Sequence, residues 1–355
     1  MDYKLLISKI SGHYKKDLPF VVFSFPESNR LVAFLQKSEQ LHTVDNLTEN
    51  GFVFAPFDYK NSSFFIPEND SENLECEFIK SDIEITPIAV SSDIEEKNRY
   101  IKLLNKTIEV FKRQNANKIV ISRKKDFLLK DFSIEKLAES LFSAYPTAFR
   151  YIWYHPKTGL WCGATPETLV QIENNSFKTM ALAGTQPFLN KASVFWGLKE
   201  LEEQQLVTDS IIDSLQRVTS VLKVSNPHTH QAGSLLHLRT DITGVLKNGK
   251  ATLTTITTAL HPTPAVCGSP KKFAKEFILE NEGYNREFYT GFLGPIFENG
   301  QSASLMVNLR CMKIEGDIAH IFVGGGITLG SQPQEEWNET QNKMQTMLQV
   351  LKPML

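Results

Sequence analysis

Residues 148–164, AFRYIWYHPKTGLWCGA, decide the fold class of this 355-residue chain. The two runs 148–155 and 160–164 are rich in aromatic residues, and the Pro-Lys-Thr-Gly between them is typical of a β-hairpin turn. Two further strand-like runs, SASLMVNLRCMKI (302–314) and AHIFVGGGI (319–327), also follow each other directly. Because strands arrive in hairpins rather than alternating with helices, we predict an α+β fold with a large antiparallel sheet instead of a doubly wound fold.

The sequence on either side of this hairpin predicts the remaining elements. Residues 1–90 are predicted to form short strands and turns, and KIVISR (118–123) a strand with Lys118 on the same face as Val120. TLTTITTAL (252–260) fits a strand by its threonines and a helix by its leucine spacing, so both stay open. We predict helices from Ser92 or Asp93 to about Asn115, from Ser133 to just before Pro146, over 194–224, after Ser269 as N-cap with Pro270 in the first turn, and over 333–351.

Composition and charge exclude several classes of protein. Lys and Arg total 38 and Asp and Glu total 40, a net charge of −2, which argues against binding to nucleic acid or to an anionic membrane. The four cysteines are widely spaced without a CxxC pair, so we predict buried, reduced thiols. No signal-peptide pattern begins the chain, and no apolar run approaches the ~20 residues that span a bilayer. We therefore expect a soluble, cytoplasmic protein.

The predicted C-terminal helix and the strand before it carry two weak functional signals. Glu336, Glu339 and Lys343 lie at i, i+3 and i+7, on one side of the helix beside the apolar stripe. They form either an exposed Glu339–Lys343 ion pair or a carboxylate pair for a hard cation, which prefers oxygen ligands. The run of three glycines at 324–326 fits either a tight bulge or a site where an anion approaches the backbone.

Other polar residues are equally ambiguous when each is taken alone. Glu167 follows a proline in GATPE (163–167), as a helix-start glutamate often does. Arg310 is predicted in mid-strand, where a structural glutamate or a bound carboxylate could be its partner. Glu202 and Glu203 fit the solvated face of a helix.

Ten motifs taken together, and in this order, resemble the chorismate-utilising enzymes. They extend from Lys118 to Lys343 and read KIVISR, GATPE, LAGT, LEEQQLV, LHLRTDITG, LHPTPAVCG, NREFYTG, VNLRC, GGGITLGS and EEWNETQNK. The resemblance implies a single chorismate-binding domain over 1–355, with a variable part at 1–90 and the catalytic motifs at 95–352. It also implies two stacked, mostly antiparallel sheets flanked by helices.

The resemblance also implies a reaction. Lys118 together with Ala183 is the pattern of the members that add water to chorismate, the isochorismate and salicylate synthases, and HPTPAVCG (261–268) is more similar to the former. In the implied reaction Lys118 takes a proton from a water that adds at C2. Glu167 then protonates the departing C4 hydroxyl. Both groups must hold the form that is rare in water at neutral pH, and burial in a closed pocket shifts both in the required direction.

Mg²⁺ is the cofactor that the resemblance implies. Glu203 and Glu339 map to its ligands, with Glu336 close by, and Arg310 is expected to bind a carboxylate of the substrate. The remaining substrate-binding positions are Gly184, Thr185, His237, Ala265, Tyr289, Gly324 and Lys343.

Three alternative functions differ in one observable each. A salicylate synthase would continue to pyruvate elimination. A glutamine-dependent amidotransferase subunit would need a glutaminase partner, and Lys118 argues against it. A non-catalytic chorismate-binding module would tolerate loss of Lys118 or Glu167, yet this chain keeps both. We expect chorismate as the small-molecule partner and no obligatory glutaminase subunit; menaquinone and siderophore synthesis both fit as the pathway.

Overall fold

The computed structural model describes residues 1–59, 62–79, 81, 83, 85–90, 93–188, 194–232, 235–247 and 251–355. The helices are α1 Tyr3–Lys15, α2 Ile94–Lys112, α3 Ile134–Ala144, α4 Leu198–Leu215, α5 Leu253–Leu260, α6 Lys271–Asn281 and α7 Pro333–Leu351. The strands are β1 Phe20–Ser24, β2 Arg30–Gln36, β3 His42–Val44, β4 Gly51–Ala55, β5 Ser63–Pro67, β6 Ser71–Glu77, β7 Lys118–Leu128, β8 Phe149–His155, β9 Gly159–Thr165, β10 Thr168–Glu173, β11 Ser176–Pro187, β12 Thr219–Val224, β13 His228–Ala232, β14 Leu235–Leu246, β15 Gly268–Ser269, β16 Phe292–Phe297, β17 Ser302–Val307, β18 Cys311–Glu315 and β19 Ile318–Ile327.

These strands form two antiparallel sheets. The first sheet has nine strands in the order β15-β7-β19-β18-β9-β8-β1-β2-β6. The second has the ten-strand set β12-β14-β11-β10-β17-β16-β4-β5-β3, with β13 paired to β14 beside β12. The decisive hairpin is β8–β9, in which Trp153 pairs with Trp161 across the strands. The predicted α+β class with stacked antiparallel sheets is confirmed.

Aromatic side chains fill the space between the sheets. Trp153 and Trp161 of the first sheet meet Phe54 of the second, and Phe54 stacks on Phe288 with ring centroids 4.1 Å apart. The outer faces are covered by helices, α1, α3 and α7 on the first sheet and α4 and α5 on the second. Helices α2 and α6 pack at the β7 edge of the first sheet.

Helix α1 and the length of helix α4 differ from the prediction. The first 90 residues contain helix α1, which we did not predict, because only its buried Leu6, Ile7 and Ile10 repeat at helical spacing. The helix predicted over 194–224 is shorter, because α4 ends at Leu215 and the β-branched residues of β12 pair with β14 instead.

The predicted long strand over 302–314 is two strands in different sheets. Strand β17 belongs to the second sheet and β18 to the first, so the chain crosses between the sheets at 308–310. Arg310 is consequently not in mid-strand; it lies in the crossover with φ of 47°. Spacing along a single strand could not reveal this change of sheet, since both strands are hydrophobic runs.

Helix boundaries agree with the prediction in most places. Asp93 caps α2 and Ser133 caps α3 through their side chains, whereas the alternative start Ser92 lies outside the described residues. Residues 253–260 form α5, capped by Thr252, which decides the ambiguity in favour of a helix. Pro270, not Ser269, is the N-cap of α6, because Ser269 belongs to strand β15 and pairs with Lys118 of strand β7. All four cysteines are free and buried, as predicted. In the described part of the chain, no helix is both long enough and apolar enough to cross a membrane.

Candidate active site

The predicted site residues line one cavity. It encloses about 950 Å³, including its open mouth, and its walls come from β7, β19, β11, α4, α7 and the crossover at 308–310. The predicted residues on its walls are Lys118, Glu167, Gly184, Thr185, Glu203, His237, Ala265, Tyr289, Arg310, Gly324, Glu336, Glu339 and Lys343. Their common location is a finding, while the role of each one stays a prediction.

Lys118 is the first residue of β7 and is buried. Its Nζ donates a hydrogen bond to Oε1 of Glu203 at 2.7 Å, and the two side chains are 2% and 13% exposed. Glu203 is carried by α4, and because it faces the cavity and Lys118, the interpretation of this residue as part of a solvated helix face is wrong. The neighbouring Glu202 is the one that faces solvent.

Glu167 lies between β9 and β10, and no helix begins there. The interpretation as a helix-start glutamate is therefore wrong. Its backbone is held at both ends: the N–H donates to Thr165 Oγ1 at 3.3 Å, and the carbonyl accepts from the Val307 N–H at 2.9 Å. Burial raises the pKa of the Glu167 carboxyl to about 7, against the opposing attraction of Lys118 and Lys343.

The three glycines are part of regular strand β19. Gly324, Gly325 and Gly326 pair with successive residues of β7, so they do not form a bulge. Instead they make room for side chains. A Cβ on Gly325 would lie 3.1 Å from Glu336 Oε2, and one on Gly326 would lie 2.7 Å from Glu203 Oε1. The glycine run is thus the floor against which carboxylates from α4 and α7 come together.

Helix α7 supplies Glu336, Glu339 and Lys343. The predicted Glu339–Lys343 pair exists, with Nζ 2.5 Å from Oε1, but it lines the cavity, and Lys343 also donates to the Gly324 carbonyl at 3.0 Å. Three carboxylates from two helices therefore flank one strand, and such oxygen donors suit a hard cation. Within the described residues, no three acidic, histidine or cysteine side chains lie close enough together to hold a metal ion in the present conformation. Glu203 and Glu339 are engaged by lysines.

The same cavity also carries Arg310, Tyr289 and His237. Arg310 Nη1 donates to Thr346 Oγ1 at 3.2 Å, and Tyr289 stacks on Phe322 with centroids 5.5 Å apart. Burial lowers the pKa of His237 to about 3, so the ring is neutral. Its Nδ1 lies 2.9 Å from the Gly184 carbonyl, which can only accept, so Nδ1 carries the proton and Nε2 is left as an acceptor.

Among the charged residues that line the cavity in the described part of the chain, sequence reasoning missed one. Glu200 of α4 also borders the cavity, one turn before Glu203. Its i, i+3 spacing from Glu203 was the available signal, because residues three apart share a helix face.

One family of known proteins matches most of the chain. Residues 67–352 match the family model described as "Chorismate binding enzyme". Isochorismate synthase DhbC of Bacillus subtilis (strain 168) is 33% identical over 198 residues, 53% of this chain and 50% of that protein, so the matched segment spans about half of this relative. Isochorismate synthase EntC of Escherichia coli (strain K12) is 29% identical over 314 residues, 83% of this chain and 79% of EntC.

A solved structure extends the similarity to nearly the whole chain. The crystal structure named for the 2,3-dihydroxybenzoate-specific isochorismate synthase DhbC of Bacillus anthracis has a TM-score of 0.81 and 26% identity to this chain. It covers 98% of this chain and 99% of that one. These matches confirm the resemblance and the fold that the ordered motifs predicted.

Proposed function

This chain belongs to the family of chorismate-binding enzymes, and on that premise we propose that it is an isochorismate synthase. Such an enzyme is an isomerase that converts chorismate reversibly to isochorismate. The observation that carries the proposal is that a buried lysine, Lys118, and a buried, protonatable carboxyl, Glu167, both lie on the walls of one cavity. Relatives named isochorismate synthase support the same assignment.

The proposed reaction moves a hydroxyl group without a net change in atoms. Lys118 takes a proton from water, and the water oxygen bonds to C2 of chorismate. The ring double bonds shift, the C4–oxygen bond breaks, and Glu167 gives its proton to the departing hydroxyl, which leaves as water. One water is consumed and one is released. After the forward reaction Lys118 holds the proton and Glu167 has lost it, so in the reverse direction Glu167 acts as the base and Lys118 as the acid.

The state of Glu167 suits the acid role. A general acid works best when its pKa lies near the operating pH, and burial raises the pKa of this carboxyl to about 7. A substantial fraction of molecules therefore holds the proton at neutral pH. A glutamate in water, with an ordinary pKa of 4.5, would have lost it almost entirely.

The proposal includes a bound Mg²⁺. Glu203 and Glu339 would hold it, with Glu336 beside them, and all three line the cavity next to the glycine run. When bound, the cation would supply positive charge to a carboxylate of the substrate and to the transition state. Arg310 would bind the other carboxylate, since its planar fork matches that group.

Product analysis tests the proposal. Purified protein is incubated with chorismate and MgCl₂ without ammonia, and the products are separated by chromatography. We expect isochorismate, and the same mixture should form when the reaction starts from isochorismate. Stoichiometric pyruvate with salicylate would instead identify a salicylate synthase. Anthranilate that forms only with ammonia would contradict water addition, and unchanged chorismate would indicate a non-catalytic module.

A further inference from the structure

The first residue of the crossover between the two sheets, Asn308, is fully buried and hydrogen-bonded through its backbone and its side chain. Its backbone N–H donates to the Gly291 carbonyl at 2.9 Å, and its own carbonyl accepts from the Thr290 N–H at 2.8 Å. The backbone of Asn308 is thus bonded on both sides to the segment that begins at the cavity residue Tyr289.

The Asn308 side chain adds two further bonds. Its Oδ1 accepts a hydrogen bond from the Tyr151 hydroxyl at 2.7 Å, and its Nδ2 donates to the Phe288 carbonyl at 2.9 Å. Burial raises the pKa of Tyr151 far above its ordinary value, so the hydroxyl keeps its proton and donates. Asn308 therefore connects strand β8 of the first sheet to the residue directly before Tyr289.

The same tyrosine lies against the backbone of Arg310. A Cβ on Gly163 would be 2.9 Å from Tyr151 Cε1 and 3.0 Å from the Arg310 carbonyl, so the ring and this backbone are in close packing around Gly163. That carbonyl accepts from the Ala164 N–H at 3.0 Å. Arg310 has φ of 47°, and such a conformation in a non-glycine residue persists only when its surroundings hold it.

We propose that Tyr151 and Asn308 form a positioning unit that holds Arg310 and Tyr289 in the geometry that binds an anionic group of the substrate. Neither residue of the pair is among those lining the cavity, so they act through Arg310 and Tyr289 and not by contact. The inference rests on the proposed function, because it takes the anionic group to be a carboxylate of chorismate.

Two tyrosine-to-phenylalanine variants on one strand provide a matched test. Tyr151→Phe removes the donor to Asn308, whereas Tyr154→Phe removes a hydroxyl that donates to Asp17 Oδ1 at 2.7 Å. Both residues lie on β8, and both are buried. Measurements are kcat and KM with chorismate, the dissociation constant for chorismate by calorimetry, and the melting temperature.

We expect Tyr151→Phe to raise KM and the dissociation constant by about 5- to 30-fold, as one lost hydrogen bond predicts, with kcat changed by less than about 3-fold. Tyr154→Phe should leave both constants unchanged. In a double-mutant cycle, adding Tyr151→Phe to Asn308→Ala should have little further effect, because Asn308→Ala already removes the bond from the Tyr151 hydroxyl, together with the bond to the Phe288 carbonyl. If Asn308→Ala does not fold, the Tyr151→Phe comparison decides alone.

Two results would overturn the inference, and they are distinguishable. If wild type binds chorismate while Tyr151→Phe lowers only the melting temperature and leaves both constants unchanged, the pair has a merely structural role and the proposed function is untouched. If wild type itself does not bind chorismate, both proposals fail together.

Discussion

Two regions of the same cavity hold glutamates in different surroundings. On the α4–α7 wall, Glu203 and Glu339 each bond a lysine, at 2.7 and 2.5 Å. In the β9–β10 corner, Glu167 is 4% exposed, and the described residues include no salt bridge to it. Burial consequently raises the pKa of Glu167 to about 7. The wall holds its carboxylates against lysines, and the corner holds its carboxyl away from water.

Residue type alone therefore does not assign a role in this cavity. Glu203 and Glu339 each have a lysine within hydrogen-bond distance, whereas Glu167 has been taken out of water, and desolvation stabilises the neutral acid.

The largest effect is expected for the two lysine-bonded glutamates. Glu203→Gln and Glu339→Gln should abolish Mg²⁺-dependent turnover, because the amide keeps the shape but loses the charge that a hard cation requires. Turnover against MgCl₂ concentration and calorimetric titration with Mg²⁺ measure this. Glu202→Gln, on the exposed side of α4, is the matched control and should behave as wild type. Full activity in the presence of EDTA would contradict a metal site at Glu203 and Glu339.

The acid–base pair should give the next largest effect. Lys118→Ala and Glu167→Gln are each expected to lower kcat by ~10²–10⁴-fold, the usual range for a lost general base or acid. Glu167→Gln keeps the side-chain shape and should still bind chorismate. Steady-state kinetics with thermal melts as controls measure the change. Folded variants that turn over normally would exclude both residues from the mechanism.

The raised pKa of Glu167 has a consequence for stability. Its carboxyl has a pKa of about 7 in the folded chain and an ordinary value of 4.5, so the folded state holds the proton more tightly. The stabilisation is complete below about pH 4.5 and is lost as the pH rises through about 7, a total of roughly 3 kcal/mol. The free energy of unfolding of wild type should therefore fall across this window relative to Glu167→Gln.

Urea unfolding of the two proteins at pH 5, 6, 7 and 8 measures the difference. If the free energies of unfolding of the two proteins changed in parallel with pH, the Glu167 carboxyl would be solvated in the folded state. Its surroundings would then not differ from those of Glu203 and Glu339 in the way described above. The same titration predicts that kcat of wild type declines above about pH 7, because Glu167 then loses its proton.

The smallest effect concerns the glycine floor of the wall. Gly326→Ala would place a Cβ 2.7 Å from both Glu203 Oε1 and Lys118 Cε, so we expect a loss of about 1–2 kcal/mol in the free energy of unfolding. Gly330→Ala is the control, since a Cβ there meets nothing within 4 Å. Urea unfolding distinguishes them. Equal free energies of unfolding for Gly326→Ala and Gly330→Ala would show that Glu203 and Lys118 can move to accommodate the added methyl group.

Sequence reasoning located the cavity residues because the motifs carry them at recognisable positions. The ordered blocks led to Lys118, Glu167 and Arg310, and all three line the cavity. It missed Glu200, which no quoted motif singled out, and helix α1, whose apolar repeat is short. Boundaries were reliable where a capping side chain marks them, as at Asp93 and Ser133.

Hairpin order, most of the helices and the types of residue at the site follow from the sequence, since these depend on neighbours a few positions away. That 302–307 and 311–315 belong to different sheets, with Arg310 between them, depends on how the two sheets pack. Tertiary packing also sets which glutamates have a lysine partner and which one is desolvated. Desolvation and ion pairing depend on distant parts of the chain, such as Lys118 against Glu203, and no local pattern records those distances.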